Sequence, residues 1–200
     1  MVIMTPYLSV STYIDFDHPR VAEVAAELRM AASDELDLAR TCFTFVRDRI
    51  RHSWDFKQGP ATCRASDVLH YGTGYCFAKS HLLAALLRAN GIPAGLCYQR
   101  LSLPGSGAPY CLHGLNAVYL ASFGWYRVDA RGNKPGIAAE FCPPQEVLAF
   151  PVREPSERDL PEIWAEPLPV VVQTLETSAD IEAVYAHLPD VPLLAAVKPV

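Results

Sequence analysis

The sequence predicts an α+β fold in which N-terminal helices lead to a central helix packed on an antiparallel β-sheet. Residues 77–89 contain no proline, glycine or β-branched residue, and their leucines recur on one helical face. After Pro93 the pattern changes to a period of two over residues 96–103, which is typical of a strand. These two periods define a central helix and the start of a sheet.

The N-terminal part predicts a short strand followed by two scaffold helices. Residues 7–13 are β-prone, and Pro19 stands where proline is tolerated at the start of a helix. Ser33 has the side chain of an N-cap, and acidic residues follow it at the start of a second predicted helix over residues 34–51. We expect both helices to pack by their apolar stripes.

The central helix is predicted to be buried along most of its circumference, because alanines widen its leucine stripe. Residues 53–60 predict a loop, and residues 66–72 predict a short helical turn that ends in glycine just before the central helix. Gly91 supplies a left-handed stop, and Pro93 prevents the helix from resuming.

A β-hairpin is predicted after the first strand. Residues 104–109 are a glycine- and proline-rich loop, and residues 112–120 and 125–129 read as two strands joined by a short turn. Because strands joined by a short turn pair antiparallel, we expect the central helix to pack on an antiparallel sheet.

The chain is predicted to consist of one domain and an extension. Residues 1–150 are predicted to form the catalytic domain, and residues 151–200 a proline-rich C-terminal extension that packs on the same domain. Within the extension, residues 170–175 fit either a strand or the start of a helix. Ser178 is the expected cap of a last helix over residues 179–188.

Composition excludes several classes of partner. The chain has 200 residues, half of them apolar, with a formal net charge of -5. This acidity, with no basic cluster longer than residues 47–51, argues against nucleic acid and anionic membranes as partners. No apolar run reaches the length of a membrane span, and residues 1–6 do not resemble a signal peptide. We therefore expect a cytoplasmic protein.

The cysteines predict neither a disulfide scaffold nor a metal site. Without a signal peptide, six cysteines fit a reducing compartment better than a set of disulfides. They also lack the paired spacing of zinc ligands, so no metal or cofactor is predicted.

Cys76 is the candidate nucleophile because it stands at the start of the central helix. Unpaired backbone N–H groups and the helix dipole at such a position stabilise a thiolate over a thiol. The alternative is that Cys76 is a small buried hydrophobic residue, as most intracellular cysteines are.

His113 and Asp129 favour the nucleophile interpretation. His113 lies near the start of one predicted strand and Asp129 at the end of the next, so both should lie at the same end of the hairpin. A cysteine nucleophile needs a base, usually histidine, and that base needs a third group to fix its tautomer. The two residues fit these two roles.

These residues resemble the transglutaminase-like superfamily, which shares a Cys-His-Asp arrangement with papain-like proteases. The resemblance rests on G-Y-C-F-A at 74–78, L-L-R-A-N-G-I-P-A at 86–94, His113, and G-W-Y-R-V-D at 124–129. It covers roughly residues 53–131. It implies a transglutaminase-like, papain-like fold with Cys76 as nucleophile, His113 as general base and Asp129 as the group that orients it.

The chain departs from the family pattern at several positions. Gly114 and Leu115 follow His113 where the family has alanine and tryptophan, and Ala130 follows Asp129 where proline is usual. Lys79 and His81 occupy helix positions at which small or apolar residues are common. The three candidate catalytic residues are present, and these differences bear on substrate selection.

Four more residues are candidates for substrate binding. Trp54 is expected either to line the approach to Cys76 or to be a core tryptophan, and Tyr75 directly precedes Cys76. Arg131 belongs to a segment that fits either a substrate carboxylate site or a solvated loop. Cys111 should share a strand face with His113, where it either packs or forms a reversible inhibitory disulfide with Cys76.

Three other histidines are not expected to take part in catalysis. His52 and His70 lie in polar connections, and His81 lies off the Cys76 face of the central helix. We expect solvated or capping roles for all three.

The predicted reaction is acyl transfer through a cysteine thioester, most simply hydrolysis of a peptide or amide bond. The substrate would be a peptide, a protein or a small amide. The alternatives are a transglutaminase or another amine acyltransferase, and a binding module that keeps the fold without catalysis. The sequence does not specify an oligomeric state.

Overall fold

The computed structural model describes residues 4–191 and contains seven α-helices and eight strands within them. The helices are α1 (Pro19–Ala31), α2 (Glu35–Arg49), α3 (Ser53–Phe56), α4 (Ala65–Tyr71), α5 (Cys76–Ala89), α6 (Pro169–Thr177) and α7 (Ile181–Ala186). The strands are β1 (Arg51–His52), β2 (Thr73–Gly74), β3 (Ala94–Ser102), β4 (Tyr110–Leu120), β5 (Gly124–Val128), β6 (Glu140–Cys142), β7 (Gln145–Val147) and β8 (Arg158–Asp159).

Helix α5 is the centre of the molecule. All of its residues except the last are buried, because α1, α2 and α4 contact it on one side and β3 and β4 on the other. Gly91 adopts a φ of +76° just beyond it. The predicted α+β arrangement, with the central helix packed on an antiparallel sheet, is confirmed.

The main sheet has four strands in the order β5-β4-β3-β8, with every neighbouring pair antiparallel. The β3–β4 ladder is continuous from Ala94↔Val118 to Ser102↔Tyr110, and β5 continues the sheet from Asn116↔Val128 to Leu120↔Gly124. The hairpin therefore forms as predicted. The short strand β8 comes from the proline-rich region that was predicted as the C-terminal extension.

A two-residue parallel pair joins the chain before α3 to the chain before α5. It pairs Arg51 with Thr73 and His52 with Gly74. The hydroxyls of Ser53 and Thr73 lie 3.1 Å apart beside it. Part of the predicted loop over residues 53–60 is thus helix α3, and β1 and β2 hold this helix next to the start of α5.

The predicted strand over residues 7–13 is wrong. The chain instead forms a 3₁₀ helix over Thr5–Leu8, with proline in its first turn. The hydroxyl of Tyr7 donates to the carbonyl of Ile163 at 2.9 Å, so its β-prone side chain serves a tertiary contact. Strand propensity depends on such context.

Two predicted helix caps are displaced to nearby aspartates. Asp34, not Ser33, caps α2 through the amide of Asp37, while Ser33 binds the Asp37 carboxylate. Asp180, not Ser178, caps α7, because the hydroxyl of Ser178 donates to a carbonyl of α6 instead. In both places an aspartate one or two residues later occupies the cap.

The C-terminal part contacts the sheet and the start of α5. Residues 170–175, which fitted a strand or a helix, lie within α6. The amide of Leu112 donates to the carbonyl of Pro189 at 2.7 Å. Residues 192–200 of the predicted extension lie outside the described residues, and the boundary at 150 stays a prediction.

The helices of residues 4–191 are all too short or too polar to cross a membrane.

Candidate active site

Cys76 is the first residue of α5 and lines a cavity. Only 7% of the surface of Cys76 is exposed. The backbone N–H of Gly114, on β4, donates to its Sγ over 3.4 Å. A Cβ at Gly114 would stand 3.0 Å from Phe77 Cα and 2.8 Å from Phe77 Cδ1. Glycine therefore allows β4 to approach the first turn of α5, which explains one departure from the family pattern.

His113 and Asp129 meet at one end of the β4–β5 hairpin. His113 Nε2 lies 2.7 Å from Asp129 Oδ2, and both side chains are buried. The backbone N–H groups of Arg131 and Ala149 donate to the Asp129 carboxylate over 3.1 and 3.0 Å. Asp129 is thus fixed from three directions, and it fixes the imidazole in turn.

The charged form of this pair is favoured. Burial lowers the pKa of His113, but the Asp129 carboxylate and the Cys76 thiol outweigh burial and raise that pKa to about 10. Burial raises the pKa of Asp129, yet His113 and the backbone donors lower it overall. The structure brings Cys76, His113 and Asp129 together, and their catalytic roles stay predictions.

Cys76 and His113 border a cavity of about 200 Å³, and Asp129 is buried behind His113. Trp54 stacks on Tyr185 in its wall, with ring centroids 3.6 Å apart and planes at 2°. The Tyr75 hydroxyl donates to the carbonyl of Ile181 at 2.6 Å, so α3, the residue before α5 and α7 share this wall. The remaining apolar side chains at the cavity are Leu101, Leu103, Leu112, Phe150 and Leu188.

All four candidate substrate-binding residues, Trp54, Tyr75, Cys111 and Arg131, line this cavity. Their contacts with a substrate stay predictions. Cys111 is buried, and burial raises its pKa to about 12.

Arg131 is not part of a solvated loop. Its guanidinium contacts the Asp55 carboxylate with two nitrogens, Nη1 at 2.7 Å and Nη2 at 3.1 Å. Lys134 contacts the same carboxylate. Burial raises the pKa of Asp55, but Arg131 and Lys134 reverse this effect and lower it to about 2. Asp55 therefore neutralises the arginine that reaches the cavity.

His52 was missed as a residue of the site. The expected solvated role is wrong, since His52 is buried and lines the cavity. Burial is the main reason that its pKa lies well below the ordinary value, and Arg131 adds to the effect. The spacing of His52 and Asp55, three residues apart, is the one signal in the sequence that points to it.

His81 is also buried rather than solvated, whereas His70 is exposed as expected. The Nδ1 atom of His81 lies 2.7 Å from the carbonyl oxygen of Cys63, and burial lowers its pKa to about 4. It is absent from the cavity lining, so it holds the chain that precedes α4.

Lys79 lies one turn after Cys76 and is completely buried. Its ammonium donates to the carbonyl oxygens of Arg47 and Ile50 at the end of α2. Those carbonyls lack helix partners, and the helix dipole favours a cation there. Burial lowers the pKa of Lys79 to about 7.

Comparison with known proteins identifies the family. The sequence profile of the transglutaminase-like superfamily matches residues 22–130, more than half of the chain. The chain belongs to the transglutaminase-like superfamily. This region holds most of α1, the elements from α2 to β5, and all three candidate catalytic residues.

One solved structure shows the same fold, and a second is similar to part of the chain. A proposed cysteine protease from Cytophaga hutchinsonii has 19% identity and a TM-score of 0.52, covering 64% of this chain and 42% of its own. The periplasmic domain of TgpA from Pseudomonas aeruginosa has 21% identity and a TM-score of 0.49, covering 64% and 46%. The superfamily member described here thus spans less than half the length of these structures. No curated protein matches it in sequence.

Within the described residues, no group of three or more His, Cys, Asp or Glu side chains is arranged to hold a metal ion.

Proposed function

We propose that this member of the transglutaminase-like superfamily is a cysteine-dependent hydrolase that cleaves a peptide or amide bond through a thioester on Cys76. The observation that supports it most is the 2.7 Å contact between His113 and the buried Asp129, beside a cysteine at a helix N-terminus. Family membership supports the same reaction class.

In the acylation step, the Cys76 thiol gives its proton to His113, its Sγ attacks the substrate carbonyl carbon, and the carbonyl oxygen takes the negative charge. Backbone N–H groups in the first turn of α5 lack helix partners and stabilise that oxyanion. His113 then gives its proton to the leaving nitrogen, the C–N bond breaks, and a thioester remains. Asp129 binds Nε2 of His113 and holds the imidazole in place, while the His113 side chain also hydrogen-bonds to Cys76.

In the deacylation step, water attacks the thioester while His113 takes one of its protons. The carboxylic acid leaves and the thiol is restored. The Gly114 N–H near Sγ stabilises the sulfur whenever it carries negative charge.

The substrate we propose is a peptide, a protein or a small amide whose acyl part is apolar, because leucine and aromatic side chains surround the cavity. The acidity of the protein chain argues against nucleic acid or an anionic membrane as partner. A cytoplasmic location remains our proposal.

An amine acyltransferase is the second candidate. Cys76 is only 7% exposed and shares its cavity with the stacked Trp54 and Tyr185, and a thioester shielded from water survives until an amine arrives.

One experiment tests both reactions. Wild-type protein and Cys76→Ala are incubated with peptide amides of apolar acyl group, with and without a labelled primary amine, and products are identified by mass. A free carboxylic acid supports hydrolysis, and an amide of the added amine supports transfer. Wild-type turnover no greater than that of Cys76→Ala would contradict both.

A further inference from the structure

His52 lines the same cavity as Cys76 and His113. The β1–β2 pair sets its backbone beside Gly74, two residues before the nucleophile. Its ring packs edge-on against Tyr75, with centroids 5.5 Å apart. Its position is therefore fixed by the same chain segment that leads into Cys76.

The ring of His52 has an unused hydrogen-bonding capacity. Nδ1 is fully buried and has no hydrogen-bond partner, and the nearest carboxylate oxygen, Oδ2 of Asp55, lies 3.7 Å away. Within residues 4–191, Nε2 has no partner either. The His52 side chain is 8% exposed, and Nδ1 contributes nothing to this exposed surface. The rest of the ring edge therefore reaches the cavity that His52 lines.

The charges around His52 decide which nitrogen carries the proton. Its lowered pKa makes the imidazole neutral, so only one nitrogen is protonated. Asp55 is ionised and held by Arg131, and its oxygen faces Nδ1. A carboxylate favours an N–H directed towards it, which places the proton on Nδ1 and leaves a lone pair on Nε2.

We propose that His52 is a positioning residue whose Nε2 accepts a hydrogen bond from the N–H of the scissile amide. This inference rests on the proposed function and deepens it, because it names the substrate class as secondary amides. An ester has no N–H at that position and gains nothing from His52. An acceptor that faces the cavity and has no partner in the protein favours a substrate that satisfies it.

The kinetic test compares an amide and an ester with the same acyl group and matched leaving groups. In His52→Leu, kcat/KM for the amide is expected to fall roughly 10- to 100-fold, and that for the ester by less than about threefold. His52→Gln, which can place an acceptor oxygen near the former Nε2, is expected to recover most of the amide activity. His70→Leu, at an exposed histidine, is the matched control.

Equal losses on amide and ester in His52→Leu would overturn the role of His52 while leaving the hydrolase intact. A wild-type protein inert towards both substrates would overturn the proposed function and this role with it.

A second measurement needs neither activity nor a variant that folds. The ¹⁵N NMR shifts of the His52 ring in the wild-type protein are expected to show hydrogen on Nδ1 and a lone pair on Nε2 at pH 7. A proton on Nε2 would overturn the inference, because His52 would then offer a donor to the cavity.

Discussion

The two sides of the cavity are built differently. One side carries Cys76, His113 and Asp129. It is built from the buried helix α5 and from the regular β4–β5 ladder. The other, irregular wall comes from α3 and the C-terminal residues around α7, and these are short pieces joined by few contacts.

The contacts of that wall are few but directed. Besides the Trp54–Tyr185 stack, Arg100 pairs with Asp190 through two 2.7 Å contacts, and Leu112 donates to Pro189. Rigid elements hold reacting groups more accurately than loops do, and loops vary more easily. We infer that the regular side determines the chemistry and the irregular wall determines which substrate reaches it.

The largest expected effect comes from the regular side. Cys76→Ala and His113→Ala should each lower kcat roughly 10⁶-fold, and Asp129→Asn roughly 10⁴-fold, because an imidazole without its orienting carboxylate is still present. Steady-state kinetics with circular dichroism measures this. Cys142→Ala, at an exposed cysteine, is the control. Full activity in Cys76→Ala would end the hypothesis of a thioester.

Gly114→Ala tests how closely the sheet must approach α5. The added Cβ would stand 3.0 Å from Phe77 Cα, so β4 must move by a few tenths of an ångström. We expect kcat to fall roughly 10- to 100-fold, since small misplacements at reacting groups are costly. Kinetics and the melting temperature should be measured together. Unchanged kcat would show that the Gly114 N–H contact with Cys76 is dispensable.

Tyr185→Ala tests the irregular wall. It removes the ring stacked on Trp54, and an aromatic pair contributes about 1 kcal/mol beyond area burial. We expect KM to rise about fivefold while kcat changes by less than about twofold. Phe56→Ala, at another exposed aromatic residue of the same region, is the control. A loss confined to kcat would contradict the division between chemistry and access.

Lys79→Met tests how the free energy of unfolding depends on the charge of a buried lysine on the regular side. The folded pKa of Lys79, about 7, lies below its unfolded value, so the unfolded state binds more protons between these two values. The free energy of unfolding of the wild type should therefore rise relative to the variant, by about 1.4 kcal/mol per pH unit above pH 7. Urea denaturation at pH 7, 8 and 9 measures it. A constant difference would show that Lys79 stays protonated.

The smallest effect is expected at Cys111, which lies on β4 and lines the same cavity as Cys76. After peroxide converts Cys76 to a sulfenic acid, the Cys111 thiolate can attack its sulfur and release water, forming a disulfide. Because the pKa of Cys111 is about 12, little thiolate is present and only a minor linked fraction is expected. Peptide mapping before reduction measures it. Absence of a Cys76–Cys111 peptide, or unchanged thiol rescue in Cys111→Ser, would refute the bridge.

The regular side was predictable because its signals are local. The leucine pattern and the glycine and proline after it define α5, and the alternation of residues 96–103 defines β3. The short turn between residues 112–120 and 125–129 defines the β4–β5 hairpin. Hairpin geometry then brings His113 and Asp129 to one end without further information.

The short elements were not predictable in the same way. Strands β1, β2 and β8 have two residues each, too few to show a period, and they form because a partner strand is nearby. The displaced caps at Asp34 and Asp180 show the same limit, since neighbouring polar residues compete for one position.

The sequence by itself determined the family pattern, the central helix with Cys76 at its start, and the hairpin that carries His113 and Asp129. Only the tertiary structure decided that His52 is buried at the cavity and that Asp55 neutralises Arg131, which is 76 residues away in the chain. Periodicity and turn residues act between neighbours in sequence. Burial and ion pairing depend on which distant segments meet, and this is set by how the whole chain packs.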